Sequence, residues 1–218
     1  MDFEKAYELL DEISQKEKLD LEDEKSVINL SKNNNAEIRA YSAELLVSFK
    51  SAKAKKALID LCADSDEMVR VNACDSLSEF SEEDVYNRLA ECAVNDKSEL
   101  VRKYALLSLS DIVVDIKQNK NTAKKLFSEI MQNEESLILK ACCCKGLYVL
   151  GDKDYLSDMS ELIKSENYQD RCTAVNILGD IFSYDIQAVS DILMNLRKTE
   201  TSKAVISAID SIINKKRI

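Results

Sequence analysis

The sequence predicts an all-α fold, a right-handed α-solenoid of about six helix pairs with a capping helix at each end, in a single domain spanning 1–218. Three observations predict it. Among 218 residues there is no proline, no tryptophan and only three glycines, Gly146, Gly151 and Gly179. Strand-rich folds use Gly and Pro at their many sharp turns, whereas helices joined by short polar loops need neither. A nine-residue block also recurs along the chain: apolar, Arg, two variable residues, small, three variable residues, apolar. Finally, an amphipathic segment precedes the blocks, set off by a short polar turn.

In chain order, residues 1–17 carry Phe3, Tyr7, Leu10 and Ile13 on one helical stripe, the pattern of a cap that shields the end of a repeat array. The first block runs from Ile38-Arg39 through Ser42 to Leu46, after the polar turn Asn33-Asn34-Asn35. The second runs from Val69-Arg70 through Ala73 to Leu77, behind the apolar segment 57–61. The third, Val101-Arg102 through Ala105 to Leu109, follows segment 85–90 and the turn Asn95-Asp96-Lys97. Ser81-Glu82-Glu83-Asp84 reads as the start of that preceding helix, with a capping hydroxyl and an acid three residues on. Residues 117–121, Lys-Gln-Asn-Lys-Asn, read as an extended loop. The fourth block, Leu139-Lys140 through Cys143 to Leu147, keeps a base and a small residue behind segment 126–130. The fifth keeps Arg171, Ala174 and Leu178. A degenerate sixth runs from Ala204-Val205 through Ala208 to Ile212, behind segment 189–193, and has lost its base. Residues 204–218 fit a C-terminal cap, with Lys215-Lys216-Arg217 at the negative end of a last helix dipole. Base to base the steps are 31, 32, 38 and 31 residues, the period of stacked helix pairs.

Counted from the base, the apolar and small positions −1, +3, +7 and +10 share one helical face and predict the core. The Val-Arg-x-x-Ala-x-x-x-Leu opening resembles the HEAT-repeat family, particularly its short bacterial form. A second detail carries that resemblance, an acid six residues before the base: Asp64 before Arg70, Asp96 before Arg102, Glu134 before Lys140. In that family such acids and bases bridge adjacent repeats, so the resemblance implies a structural ladder of Asp64, Arg70, Asp96, Arg102, Glu134, Lys140 and Arg171. Asn33 and Ser165 stand at the acid's place in the first and fifth blocks, which predicts a ladder incomplete at both ends. The resemblance covers about residues 20–215.

Net charge is −10, and residues 1–50 hold 12 acids against 7 bases, half of the excess. Nucleic-acid binding rests on Lys and Arg neutralising phosphates, so this balance argues against it. The N-terminus, Met-Asp-Phe-Glu-Lys, predicts no secretory leader, and no apolar run predicts a membrane span. Seven cysteines without a disulfide rhythm predict reduced thiols and a cytoplasmic protein.

Absent chemistry narrows function further. There is no histidine, which removes His-based catalytic constellations and His-ligated zinc. The three glycines are isolated, so no phosphate loop is encoded. Cys142, Cys143 and Cys144 are consecutive; on a helix they diverge by about 100° per residue and cannot converge on one metal. Cys143 takes the small core position, and Cys142 and Cys144 flank it with one of them open to solvent. The expectation is packing thiols, no metal, no cofactor and no catalytic residues.

Repeat arrays of this kind curve, and the resemblance implies that the block-carrying helix lines the inner surface. Positions +2, +5 and +9 lie opposite the core. They give Tyr41, Glu44 and Ser48; Asn72, Asp75 and Glu79; Tyr104, Leu107 and Asp111; Cys142, Lys145 and Val149; Thr173, Asn176 and Asp180. The stripe is acidic and carries two tyrosines in its first three repeats, with Lys145 interrupting it in the fourth. The predicted partner-binding residues are Tyr41, Glu44, Asn72, Asp75, Glu79, Tyr104, Leu107, Asp111, Asn176 and Asp180. The predicted function is a monomeric, non-enzymatic scaffold whose acidic concave face recruits a basic protein, an immunity-type inhibitor being one version. Membranes and nucleic acid are not expected partners. Some relatives of this fold act on bilin chromophores or remove alkylated bases from DNA, so the resemblance also implies an enzymatic alternative, a bilin lyase or DNA glycosylase in which Asp75 or Asp111 would be tested first.

Overall fold

The computed structural model describes residues 1–116, 120–156 and 158–214, and the side chains of all of these except 160 and 161. Every regular element among them is helical. The chain packs as two compact units, Met1–Gln118 and Asn119–Ile218.

The first unit holds α1 (Phe3–Ser14), α2 (Leu21–Leu30), α3 (Ala36–Leu46), α4 (Ala52–Leu61), α5 (Glu67–Ser76), α6 (Glu83–Asn95) and α7 (Glu99–Ile112). Most of these helices start where the sequence offers a side-chain oxygen to the orphaned N–H groups of the first turn. Asp20 caps α2, Asn35 α3, Ser51 α4, Asp66 α5 and Ser98 α7. For α6 the capping hydroxyl expected at Ser81 is not used: the helix begins one residue later, with Glu82 as its cap residue and no side-chain bond to the first turn. The core positions behave as one face. Ile38, Ser42 and Leu46, then Val69, Ala73, Leu77 and Phe80, then Val101, Ala105, Leu109 and Ile112 are all buried. The small residue at +3 lets α3, α5 and α7 pack side by side along their length, whereas the preceding helices α2, α4 and α6 touch one another far less. Close packing on one side and splay on the other curves this unit with α3, α5 and α7 on its inner wall.

The second unit holds α8 (Lys120–Asn133), α9 (Leu137–Val149), α10 (Met159–Ile163), α11 (Tyr168–Ile181), α12 (Ile186–Thr199) and α13 (Lys203–Asn214). Here α9, α11 and α13 form the closely packed row. Lys120 and Asn121 belong to α8 rather than to a loop, while residues 117–119 and the basic run at 215–217 lie outside the described residues. The sixth block sits one register later than its sequence suggests: Val205 and Ile209 are buried, and Ala208 and Ile212 are only half-buried. That register puts Ile206 at the base position. Gly146 earns its place by proximity, since a Cβ built there would stand 2.4 Å from the ring of Phe127 on α8. Gly151 has φ +98 and closes α9 with a left-handed cap in which Gly151 N–H donates to Tyr148 and Asp152 N–H to Leu147.

One motif recurs in both units. The guanidinium of Arg39 donates through Nη1 to the carbonyl of Asn33 at 2.9 Å, and through Nε and Nη2 to both carboxylate oxygens of Asp64 at 2.7 Å. Arg70 repeats this with the carbonyl of Asp64 and the carboxylate of Asp96, and Arg171 with the carbonyl of Ser165 and the carboxylate of Glu200. Each arginine therefore closes its own turn and holds the acid of the following repeat. The acid in turn accepts from the backbone N–H two residues on: Asp66 for Asp64, Ser98 for Asp96, Ser202 for Glu200. The expected gaps at Asn33 and Ser165 do not open. Their carbonyls serve as well as any other residue's, and the carboxylate comes from one repeat later.

Three outcomes follow. Truncating Arg70 leaves the Asp96 carboxylate, only 10% exposed, without its cation; Arg70→Ala is expected to cost about 3 kcal/mol in urea unfolding. Gly146→Ala forces Phe127 aside and is expected to cost about 1–3 kcal/mol by overpacking. The Arg171 guanidinium and the N–H groups of Ser202 and Thr201 hold the Glu200 carboxyl down to about 2, from an ordinary 4.5. A depressed pKa stabilises the fold above about pH 4.5 and is lost as pH falls towards 2, so Glu200→Gln removes about 3 kcal/mol at neutral pH and flattens the acid limb of a stability–pH profile.

Candidate functional site

The inner wall of the first unit collects the side chains at +2, +5 and +9 of three successive helices. Tyr41, Asn72 and Tyr104 are half-buried there, and Glu44, Asp75, Glu79 and Asp111 are exposed. Leu107 is half-buried rather than the open anchor its position suggests. A Tyr104 ring has the Lys103 ammonium 5.8 Å from its centroid.

The acids on this wall are not equivalent. Glu44 accepts from Asn72 Nδ2 at 2.7 Å, and the same amide donates to the carbonyl of Ala40 at 3.2 Å, so Asn72 ties α5 to α3. Glu79 pairs with Lys50, a residue in the left-handed conformation just after α3. Asp75 makes no ion pair and accepts no hydrogen bond among the described residues. Its carboxyl is pushed up by partial desolvation against the wall and then by the charge of Asp111 on the neighbouring helix. Like charges on adjacent helices thus repel across this stretch with no cation from the wall at Asp75.

An aromatic row adjoins the acids. Tyr7 of α1 lies 5.4 Å, centroid to centroid, from Tyr41, and Phe3 lies 5.9 Å from Tyr7. Phe3 and Tyr7 are 40% and 46% exposed, so only Ala6, Leu10 and Ile13 of α1 enter the core. Sequence periodicity placed Phe3 and Tyr7 on the core stripe; both instead extend the inner wall, and only the packing of α1 against α3 shows it.

In the second unit the corresponding residues serve the fold. Lys145 is buried and donates to Asp180 Oδ2 at 3.0 Å, which joins α9 to α11 and commits the acid. Asn176 and Asp180 line a shallow groove of about 390 Å³ with Gly179 and Ser211. Of the remaining ladder residues, Arg102 donates to the carbonyl of Asp96 at 3.1 Å, Glu134 accepts from Ser136 N–H at 3.1 Å, and Lys140 is half-buried on α9.

All seven cysteines are free thiols. Cys142, Cys143 and Cys144 are each at most 2% exposed, so neither flanking thiol is open to solvent. Residues 141–148 of α9 are all buried, so every face of the helix is covered at that level. Burial pushes the thiol of Cys144 up to about 12 and that of Cys143 higher still, which keeps both protonated and unreactive. Cys62, at the end of α4, Cys74 on α5 and Cys92 on α6 are likewise buried. Unlike the run on α9 they converge, with all three sulfurs within 4.8 Å of one another.

Residues 24–110 match the family model for HEAT repeats. Among solved structures, the X-ray structure of Escherichia coli YibA aligns with a TM-score of 0.58 at 18% identity, over 100% of this chain and 77% of that one. The complex of CpcE and CpcF of phycocyanin lyase from Nostoc sp. PCC7120 aligns at TM-score 0.45 and 16% identity, over 89% and 99%. A designed armadillo repeat protein aligns at 0.41 and 13%, over 86% and 97%. At 18% identity the likeness to YibA is one of fold. No curated protein matches. No helix among the described residues is long and apolar enough to cross a membrane.

Asp75 supplies a direct check on the electrostatics. A raised carboxyl pKa costs stability once the group ionises, and the cost disappears as pH falls below the unfolded value near 3.8. Asp75→Asn is expected to stabilise the fold at neutral pH by about 0.5 kcal/mol or less, screening being strong at an exposed site, with no gain below that pH.

Proposed function

Starting from an array whose residues 24–110 are HEAT repeats, we propose that this chain is a non-enzymatic scaffold whose inner wall on the first unit recruits a basic segment of another protein. One observation carries the reading: Asp75 stands partly desolvated on this wall, faced by the charge of Asp111 on the adjacent helix, with no ion-pair partner among the described residues. A Lys or Arg from a partner would relieve that repulsion at the moment of binding, a gain available only in the complex. Repulsion accepted in the free protein and relieved by a ligand is a familiar mark of a binding surface.

The flanking aromatic row gives such a partner something to lie on. Phe3, Tyr7 and Tyr41 offer broad, rigid rings at low entropic cost, and an arginine stacks on such faces as readily as it pairs with a carboxylate. Net charge of −10 further speeds encounter with a cationic protein and slows it with nucleic acid. An inhibitor that masks a cationic toxin or nuclease is the version this chemistry suits best, acting as a monomer. Seven free thiols suit a reducing compartment such as the cytoplasm.

Titration with a fluorescent Arg-rich peptide at low and moderate salt tests the reading, with a Glu-rich peptide as control. The combined variant Asp75→Asn, Asp111→Asn is expected to weaken binding about tenfold, mainly through a slower on-rate. Glu79→Gln is expected to do much less, because Lys50 already offsets that charge. Tyr7→Ala should weaken binding without moving the urea midpoint. Equal affinity for wild type and the double variant would remove the inner wall from consideration.

A further inference from the structure

We propose that Cys62, Cys74 and Cys92 form a three-thiolate site for a soft, thiophilic metal ion. The site is built from three elements: Cys62 caps the C-terminus of α4, Cys74 lies in the last turn of α5 and Cys92 in the last turn of α6. Their sulfurs all fall within 4.8 Å of one another, and those of Cys62 and Cys74 are 3.9 Å apart. An ion bonded to each of three sulfurs at about 2.3 Å requires them about 3.8–4.0 Å apart, in tetrahedral or trigonal geometry respectively. One pair already meets that spacing, and the third sulfur needs less than about 1 Å of side-chain adjustment to join it.

The donor set selects the ion's chemistry. Three sulfurs meet with no carboxylate among them and no histidine anywhere in the chain. Hard cations such as magnesium and calcium want oxygen, whereas thiolates favour zinc and monovalent copper. Three thiolates around a divalent ion leave one negative charge, and Arg88 on α6 acts electrostatically on both Cys62 and Cys92 to offset it. The three residues are also nearly closed to solvent, at 3%, 0% and 5% exposure, so a bound ion would exchange slowly. On binding, three sulfur–metal bonds form and three S–H bonds break, their protons passing to solvent, with no change of oxidation state.

This arrangement differs from that of the other thiols. Cys142, Cys143 and Cys144 occupy consecutive positions of one helix and serve as small packing groups. Packing alone does not require that three sulfurs from three helices point at a common centre. An ion there would tie the end of α4 to α5 and α6, joining two successive helix pairs behind the inner wall, and its binding energy would add to folding stability.

The reduced full-length protein, handled without oxygen, is titrated with zinc and with monovalent copper against chromophoric chelators, and with cadmium as an ultraviolet probe. Expected are one equivalent retained against the chelator, loss of protons on binding, a thiolate-to-cadmium charge-transfer band, and a raised melting temperature. X-ray absorption on the wild-type complex should show three sulfur neighbours at about 2.3 Å. That measurement stands even if a core substitution impairs folding. Cys74→Ser should lose the band, while Cys172→Ser, at a half-buried thiol elsewhere, keeps it. The zinc and copper arms identify which ion the same three sulfurs prefer. No retention, fewer than three sulfur neighbours, a band that survives loss of Cys74, or a Cys62–Cys74 disulfide forming in place of uptake would each overturn the site.

Discussion

A single side chain, the arginine opening α3, α5 and α11, holds two jobs on which the repeat depends. Its guanidinium has five donors in a planar fork. One arm satisfies a carbonyl at the start of the preceding polar turn, and the opposite edge grips both oxygens of a carboxylate one repeat further on. The first contact fixes the angle between the paired helices, and the second fixes the spacing between successive pairs. Because the carboxylate also accepts from its own turn's backbone, each acid is held before the arginine arrives, and less entropy is lost in forming the bridge. A lysine could reach one of these partners but not both, which is the physical difference between Arg70 or Arg171 and the substitution at Lys140.

That constraint decides which charges are already committed to the fold. Asp64, Asp96 and Glu200 belong to the ladder, Asp180 to Lys145, and Glu79 to Lys50. Of the wall acids Glu44, Asp75, Glu79 and Asp111, Asp75 is the one whose carboxyl is pushed up. Raw acidity is therefore a poor guide to this surface. Desolvation, and then the charge of Asp111, push the Asp75 carboxyl up, whereas the ladder acids Asp64, Asp96 and Glu200 have theirs lowered by a fixed arginine.

The fold was legible because its signals are local. Positions −1, +3, +7 and +10 fall on one face of any helix, so Val69, Ala73, Leu77 and Phe80 could be assigned to the core from spacing alone. What escaped depends on neighbours far along the chain. The offset of six linking Asp64 to Arg70 is visible in sequence, but the carboxylate meets Arg39, twenty-five residues away, and only the stacking of pairs shows that. Phe3 and Tyr7 read as core because α1 is amphipathic; the register in which α1 meets α3 turns them outward instead. Cys62, Cys74 and Cys92 carry no sequence signature, since a metal knuckle is recognised by close spacing and these three come from separate helices. A periodic count of cysteines would have helped: Cys62 and Cys92 stand thirty residues apart, one repeat, so any repeat-aware reading places them on adjacent rungs.

The thiol cluster and the acidic wall meet on α5, where Cys74 and Asp75 are consecutive. Successive side chains on a helix point about 100° apart, so one residue can face the interior between α4 and α6 while the next faces the wall. An ion holding Cys74 would fix the rotation of α5 about its own axis, and with it the separation of Asp75 from Asp111. A wall held in that geometry cannot relax its repulsion by turning the helix, and so keeps the repulsion in store for a cationic partner. Preorganisation of this kind raises affinity without adding a contact, because the ordering cost is met during folding rather than on binding. The metal site and the wall would then be linked: filling the first should tighten the second, and by reciprocity a bound cationic segment should slow release of the ion.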